Sequence, residues 1–152
     1  MTRSTIASGL LIISAGMIGW AIARAAEPGK PLAARVQHEN QMPVENKPWA
    51  TLRWLMNGKI DPESSLTLGI SDAFPNMQAP LHIHANSDEV IYILSGSCEQ
   101  RVGNETVVLK PGDVIRVPAG VPHCAKTLGS EPVRSIVVYN SGNRQFKAVE
   151  EK

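Results

Sequence analysis

Four side chains in this sequence have the types and spacing to hold a metal ion: His82, His84, Glu89 and His123. The first three stand in LHIHANSDEVIYILSG, residues 81–96, whose apolar residues otherwise suit a β-strand. Side chains alternate faces along a strand, so His82 and His84 point the same way, and if one is inside both are. Two adjacent buried imidazoles are costly without a partner for their ring nitrogens, and a metal ion meets that need directly. Glu89 opens the next apolar run, where a hairpin-like return brings its carboxylate toward the same centre. Downstream, PGDVIRVPAGVPHCAK supplies His123, three residues after Gly120 of a Pro-x-Gly turn. Three neutral imidazoles and one carboxylate suit a divalent transition metal and leave positions for water or substrate. The plain alternative is a strand with polar residues on a solvated face, where H-x-H arises by chance.

The elements that must position these groups are short and β-like. TLRWLM, LTLGIS, EVIYILS, CEQRV, TVVL, DVIRV and RSIVVY follow one another from Thr51 onward with no room for helices between them. That pattern argues for an all-β sandwich or barrel. The breaks have mechanisms: Gly103-Asn104 suits a tight hairpin, and Lys110-Pro111-Gly112-Asp113 places Pro and Gly at the centre of a type II turn. No repeat of fixed period is present.

Over residues 66–140 the sequence resembles the cupin superfamily. The first cupin motif is matched by His82-x-His84, four residues, Glu89, six residues and Gly96; the second by Gly112, five residues, Pro118-x-Gly120, two residues and His123. Asn76 stands where the first motif usually has glycine, and Thr127 where the second usually ends in asparagine, so loop geometry is where this chain departs from the pattern. The resemblance implies a single conical jelly-roll β-barrel over residues 49–145, with a metal held inside by His82, His84, Glu89 and His123. It also implies a homodimer, for which Trp54 in TLRWLM offers an apolar surface.

Ile91 and Ile93 share a face with Glu89 and predict an apolar cavity wall; Gln78 is placed at the mouth, where a neutral amide orients a substrate by hydrogen bonds. Cupins resembling oxalate decarboxylases carry an arginine just ahead of H-x-H, whereas no arginine lies between Arg53 and Arg101 here, which disfavours small dicarboxylates. With Asp88 facing away from Glu89, the chemistry centres on the metal, with Fe, Mn or Zn as candidates, and Glu89 is the candidate catalytic group. The leading expectation is a metal-dependent, dioxygenase-like oxidoreductase acting on a small metal-chelating organic substrate. A non-redox isomerase or lyase using the same ligands, and a non-catalytic binding barrel, are the alternatives.

Composition limits the remaining classes. A 152-residue chain with 43% hydrophobic and 19% charged residues has enough apolar content for one folded domain. Its formal net charge of +1 gives no basic face for nucleic acid. Residues 1–25 have the form of a signal peptide: Arg3, an uncharged run from Ser4 to Ala23, and small residues ending at Ala25. An uncleaved membrane anchor is the alternative, because the run approaches the ~20 residues that span a bilayer. Both place the domain outside the cytoplasm, periplasmic or secreted. Residues 26–48, rich in proline and polar groups, read as an extended arm with an idle, solvent-exposed His38, and residues 146–152 as a polar tail. Export permits a Cys98–Cys124 disulfide, and two separate buried thiols are the alternative.

Overall fold

The computed structural model describes residues 31–150. The expected signal segment lies outside them. Leu32–Arg35 forms a 3-10 turn in the segment before the domain, which begins at Val36. No helix among the described residues is long and apolar enough to cross a membrane.

Two antiparallel sheets form the domain. The first contains β1 (Val44–Lys47), β2 (Ala50–Met56), β3 (Thr67–Ala73), β5 (Glu89–Ser95), β8 (Val114–Val117) and β10 (Val133–Tyr139), in the order β1-β2-β3-β10-β5-β8. The second contains β4 (His82–Ile83), β6 (Ser97–Val102), β7 (Glu105–Leu109), β9 (His123–Leu128) and β11 (Lys147–Ala148), in the order β11-β4-β9-β6-β7. From β3 onward the chain keeps crossing between the sheets, pausing only for the β6–β7 hairpin. This is the expected jelly-roll arrangement, and it encloses the inner faces of both sheets.

Alternation decides which residues face inward. In β10, Val133, Ser135, Val137 and Tyr139 are buried and the residues between them are not. Ile91 and Ile93 from β5, Cys98 from β6, Val117 from β8 and Trp54 from β2 complete the core. Both expected turns form: Gly103 has φ +60 in the two-residue β6–β7 connection, and Gly112 has φ +93, with the Asp113 N–H donating to the Lys110 carbonyl at 2.9 Å. Asn76, the departure from glycine, has φ +56. Asparagine is among the side chains that best tolerate the left-handed region, so the loop keeps the conformation a glycine would give it.

One expectation needs correction. Trp54 is not a surface residue: it is 9% exposed, its indole N–H donates to Glu45 Oε2 at 3.0 Å, and its ring lies over Gly69, where a Cβ would stand 2.8 Å from the ring. It therefore offers no face to a second copy. Within the described part of the expected arm, Glu39–Gln41 is a 3-10 turn and Val44–Lys47 is an edge strand paired with β2. The polar sequence VENK hid this strand, since an edge strand with one solvated face needs no apolar alternation. In the expected polar tail, Lys147 and Ala148 pair with Ile83 and His82. His38 is exposed, as expected.

Candidate metal centre

The two sheets contribute different halves of the site. β4 and β9 meet with His82 directly opposite His123, and His84 follows one residue beyond β4 on the same face. From the facing sheet, register places Glu89 opposite Tyr139 of β10 and Val117 of β8. All four candidate ligands are buried, and their ligating atoms lie within 4.8 Å of one another. The turn that precedes His123 is tied to the H-x-H segment. The Gly120 N–H donates to the His84 carbonyl at 2.9 Å, and the Ala119 N–H donates to Asp88 Oδ1 at 2.9 Å. Asp88 also pairs with Arg116 at 2.6 Å, so it faces away from the cavity as strand parity requires.

Each imidazole is oriented by a backbone carbonyl. His82 Nδ1 lies 2.8 Å from the Pro80 oxygen, His84 Nδ1 2.6 Å from that of Gln145, and His123 Nδ1 2.8 Å from that of Val121. A carbonyl only accepts, so every Nδ1 carries the hydrogen and, in the neutral ring, every Nε2 presents a lone pair. Those lone pairs converge on an anion: His123 Nε2 is 3.0 Å and His84 Nε2 3.4 Å from Glu89 Oε2. Two acceptors at 3.0 Å need a proton or a cation between them. His84 Nε2 is buried with no hydrogen-bond partner. An orphaned lone pair beside a carboxylate and two further imidazole nitrogens fits a divalent transition ion.

Tyr139, which sequence reasoning did not single out, donates its hydroxyl to Glu89 Oε1 at 2.6 Å and so fixes the carboxylate that faces the histidines. Burial, then the Glu89 charge, pushes the phenol well above its usual range, so the proton stays on Tyr139. Burial raises the Glu89 carboxyl, and where His123 and His84 carry protons on Nε2 their contacts outweigh burial and hold it well below the usual carboxylate range; with both rings neutral, a cation has to take that place. Burial, reinforced by the neighbouring His123, lowers His82 from 6.5 to about 4.

The His82 shift carries a pH dependence with a definite sign. The folded protein keeps this ring neutral where the unfolded chain takes up a proton, so the contribution is complete above about pH 6.5 and is lost as pH falls toward 4. Thermal unfolding of metal-stripped protein, followed from pH 7.5 to 4, is expected to show a falling midpoint across that window. A flat midpoint would count against a buried neutral His82.

The ligands line a cavity of about 360 Å³. Ile91 and Ile93 are on its wall, and Gln78 is not among the lining residues. Gln78 is exposed and its amide donates to Cys124 Sγ at 3.7 Å, on the outer side of the second sheet. The amide inside the cavity is Gln100, buried in β6; its Nε2 donates to the Arg101 carbonyl at 3.2 Å and its Oε1 has no partner. Strand parity puts Gln100 on the same face as Cys98, but only the closing of the sheets turns that face onto the cavity. Cys98 also faces the cavity, with its thiol raised to about 11 by burial, whereas Cys124 does not line it. The two sulfurs are on opposite faces of one sheet and form no disulfide.

The cavity is also not free of cations. Arg144 and Lys47 line it, from segments read as barrel end and arm, which removes the argument against anionic substrates. Phe146 stacks on His82, with centroids 4.5 Å apart and planes at 23°.

Fold and site together define a class. Residues 74–139 match the family described as Cupin domain, and the two-sheet fold around them is that of a cupin. It is 33% identical over 85 residues to germin-like protein subfamily 3 member 1 of Arabidopsis thaliana, covering 50% of this chain and 41% of that one. Quercetin 2,3-dioxygenase of Bacillus subtilis is 40% identical over 58 residues, 38% of this chain and 16% of the other. The oxalate decarboxylase of Lactobacillus farciminis superposes with a TM-score of 0.68 at 21% identity, over 74% of this chain and 35% of that one, a similarity of fold. The chain thus spans less than half the length of each of these three proteins.

Proposed function

We propose that this cupin is a metal-dependent oxidoreductase of the dioxygenase-like kind, acting on a small metal-chelating organic substrate. The observation that carries the proposal is the convergence of three imidazole Nε2 atoms and one carboxylate within 4.8 Å at the wall of a largely apolar cavity. His82, His84, Glu89 and His123 would hold the ion. A divalent transition metal there supplies Lewis acidity and, if redox-active, access to dioxygen chemistry.

The chain's own groups prepare the rest. Backbone carbonyls set the tautomer of all three histidines, so none of them has to reorganise when the ion arrives. Tyr139 holds one oxygen of Glu89, leaving Oε2 toward the cavity as the group able to take a substrate proton. Ile91, Ile93 and Val137 exclude water from that side, and Gln100 Oε1 offers an acceptor to a substrate hydroxyl. The similarity to a quercetin dioxygenase supports the oxidative reading. Bacillus subtilis oxalate decarboxylase, of the same fold, has Mn(II) centres, which keeps Mn beside Fe and Zn as candidate ions.

The test is the metal content of protein purified from its native compartment, combined with oxygen uptake across a panel of phenols and diketones. One equivalent of redox metal and substrate-dependent oxygen uptake are expected. Substrate consumption without oxygen uptake would assign the isomerase or lyase alternative instead. Metal without turnover on any substrate would leave a binding barrel.

A further inference from the structure

Arg144 lines the cavity with its guanidinium set against two aromatic rings. Its Cζ lies 4.4 Å from the centroid of the Trp54 ring and 5.0 Å from that of Tyr139. Among the described residues no carboxylate forms an ion pair with it and no acceptor takes a hydrogen bond from it. Glu45, which shares the wall, has both oxygens engaged: Oε1 with Lys47 Nζ at 2.7 Å and Oε2 with the Trp54 indole at 3.0 Å. A guanidinium has five N–H donors, and at a half-buried cavity wall they are open to a ligand.

The arrangement is held in place from both sides. The Asn86 side chain, two residues after His84, donates to the Asn143 carbonyl at 2.9 Å and accepts from the Gln145 N–H at 2.8 Å. Gln145 in turn receives the His84 ring N–H at 2.6 Å. Arg144 is therefore bracketed by backbone anchored to the H-x-H segment. Cation–π contact with the aromatic rings holds the guanidinium while its in-plane N–H edge stays available, the edge that meets a carboxylate with two parallel hydrogen bonds.

We infer that Arg144 is the specificity-determining residue of this cavity and that the substrate carries a carboxylate, which Arg144 receives while the rest of the molecule reaches the metal centre. The inference deepens the proposed function and rests on it only in assigning the same cavity to both. Lysine would keep the charge but lose the fork, and glutamine would lose both.

The test uses benzoate and its neutral isostere benzamide as probes of the full-length protein, both metal-loaded and metal-stripped, with binding followed by calorimetry and by tryptophan fluorescence. Wild type is expected to bind benzoate at least about tenfold more tightly than benzamide. R144Q should bring the two within about twofold, R144K should fall between, and both variants should keep wild-type metal stoichiometry. Equal affinity for the two probes in wild type, or no binding of either, would overturn the inference. So would a benzoate preference that survives in R144Q, since the metal centre would then be holding the carboxylate. A preference that depends on Arg144 in protein that takes up no metal would uphold this inference while defeating the metal assignment, so the two fail separately.

Discussion

Replacing His84 with alanine is expected to abolish stoichiometric metal binding. The ring is 2% exposed, and its Nε2 has no partner inside the protein. Its removal takes away one of four converging donors and leaves the Gln145 carbonyl without the N–H it receives at 2.6 Å. Loss of a group that merely supports a ligand weakens metal affinity by about 10- to 100-fold. Loss of the ligand itself should exceed the upper end of that range. His123→Ala should behave alike, because His123 is buried to the same degree and makes the 3.0 Å contact with Glu89. Elemental analysis and calorimetric titration of both variants provide the measurement, with far-UV circular dichroism confirming that each remains β-folded. Full metal stoichiometry in both would sink the assignment of the centre.

Glu89→Gln should separate holding the metal from using it. The amide keeps the size of the side chain and still accepts the Tyr139 hydrogen bond, now 2.6 Å. It removes the charge, however, and turns an N–H₂ toward the lone pairs of His123 and His84 that Glu89 Oε2 now faces at 3.0 and 3.4 Å. A donor there satisfies the imidazoles without an ion. Metal-stripped Glu89→Gln should therefore unfold at or above the wild-type temperature, while added metal stabilises wild type far more than the variant. Turnover per bound metal should fall by about 100-fold or more, since the group able to take a substrate proton is gone. Wild-type turnover per metal in the variant would show that the carboxylate serves only as a tether.

The strands that carry a clear alternation were legible from residue types alone. EVIYILS and RSIVVY became β5 and β10 nearly residue for residue, because a half-buried strand must alternate. HCAKTL, which became β9, was not, although it lies at the centre of the second sheet. A histidine facing the cavity and a lysine facing solvent gave it no apolar period. VENK and the two-residue β11 were hidden for a related reason: edge strands and very short pairings are specified by the neighbour they meet.

The candidate site divides along the same line. His82, His84, Glu89 and His123 could be read as a set because parity along a strand and turn chemistry around Pro118-x-Gly120 are local properties of the chain. Tyr139, Gln100 and Arg144 could not. Tyr139 reaches Glu89 across a strand register, and Gln100 reaches the cavity only once β6 lies against β9. Arg144 enters because Asn86, fifty-eight residues earlier, clamps the backbone on either side of it. Gln78 falls under the same limitation, since nearness in sequence to H-x-H does not say which side of the sheet an amide occupies. Local spacing was enough for the ligands, which sit on strands whose geometry every chain shares. The groups that orient those ligands and select a substrate come from long-range contacts, and those exist only after two sheets have closed on one cavity.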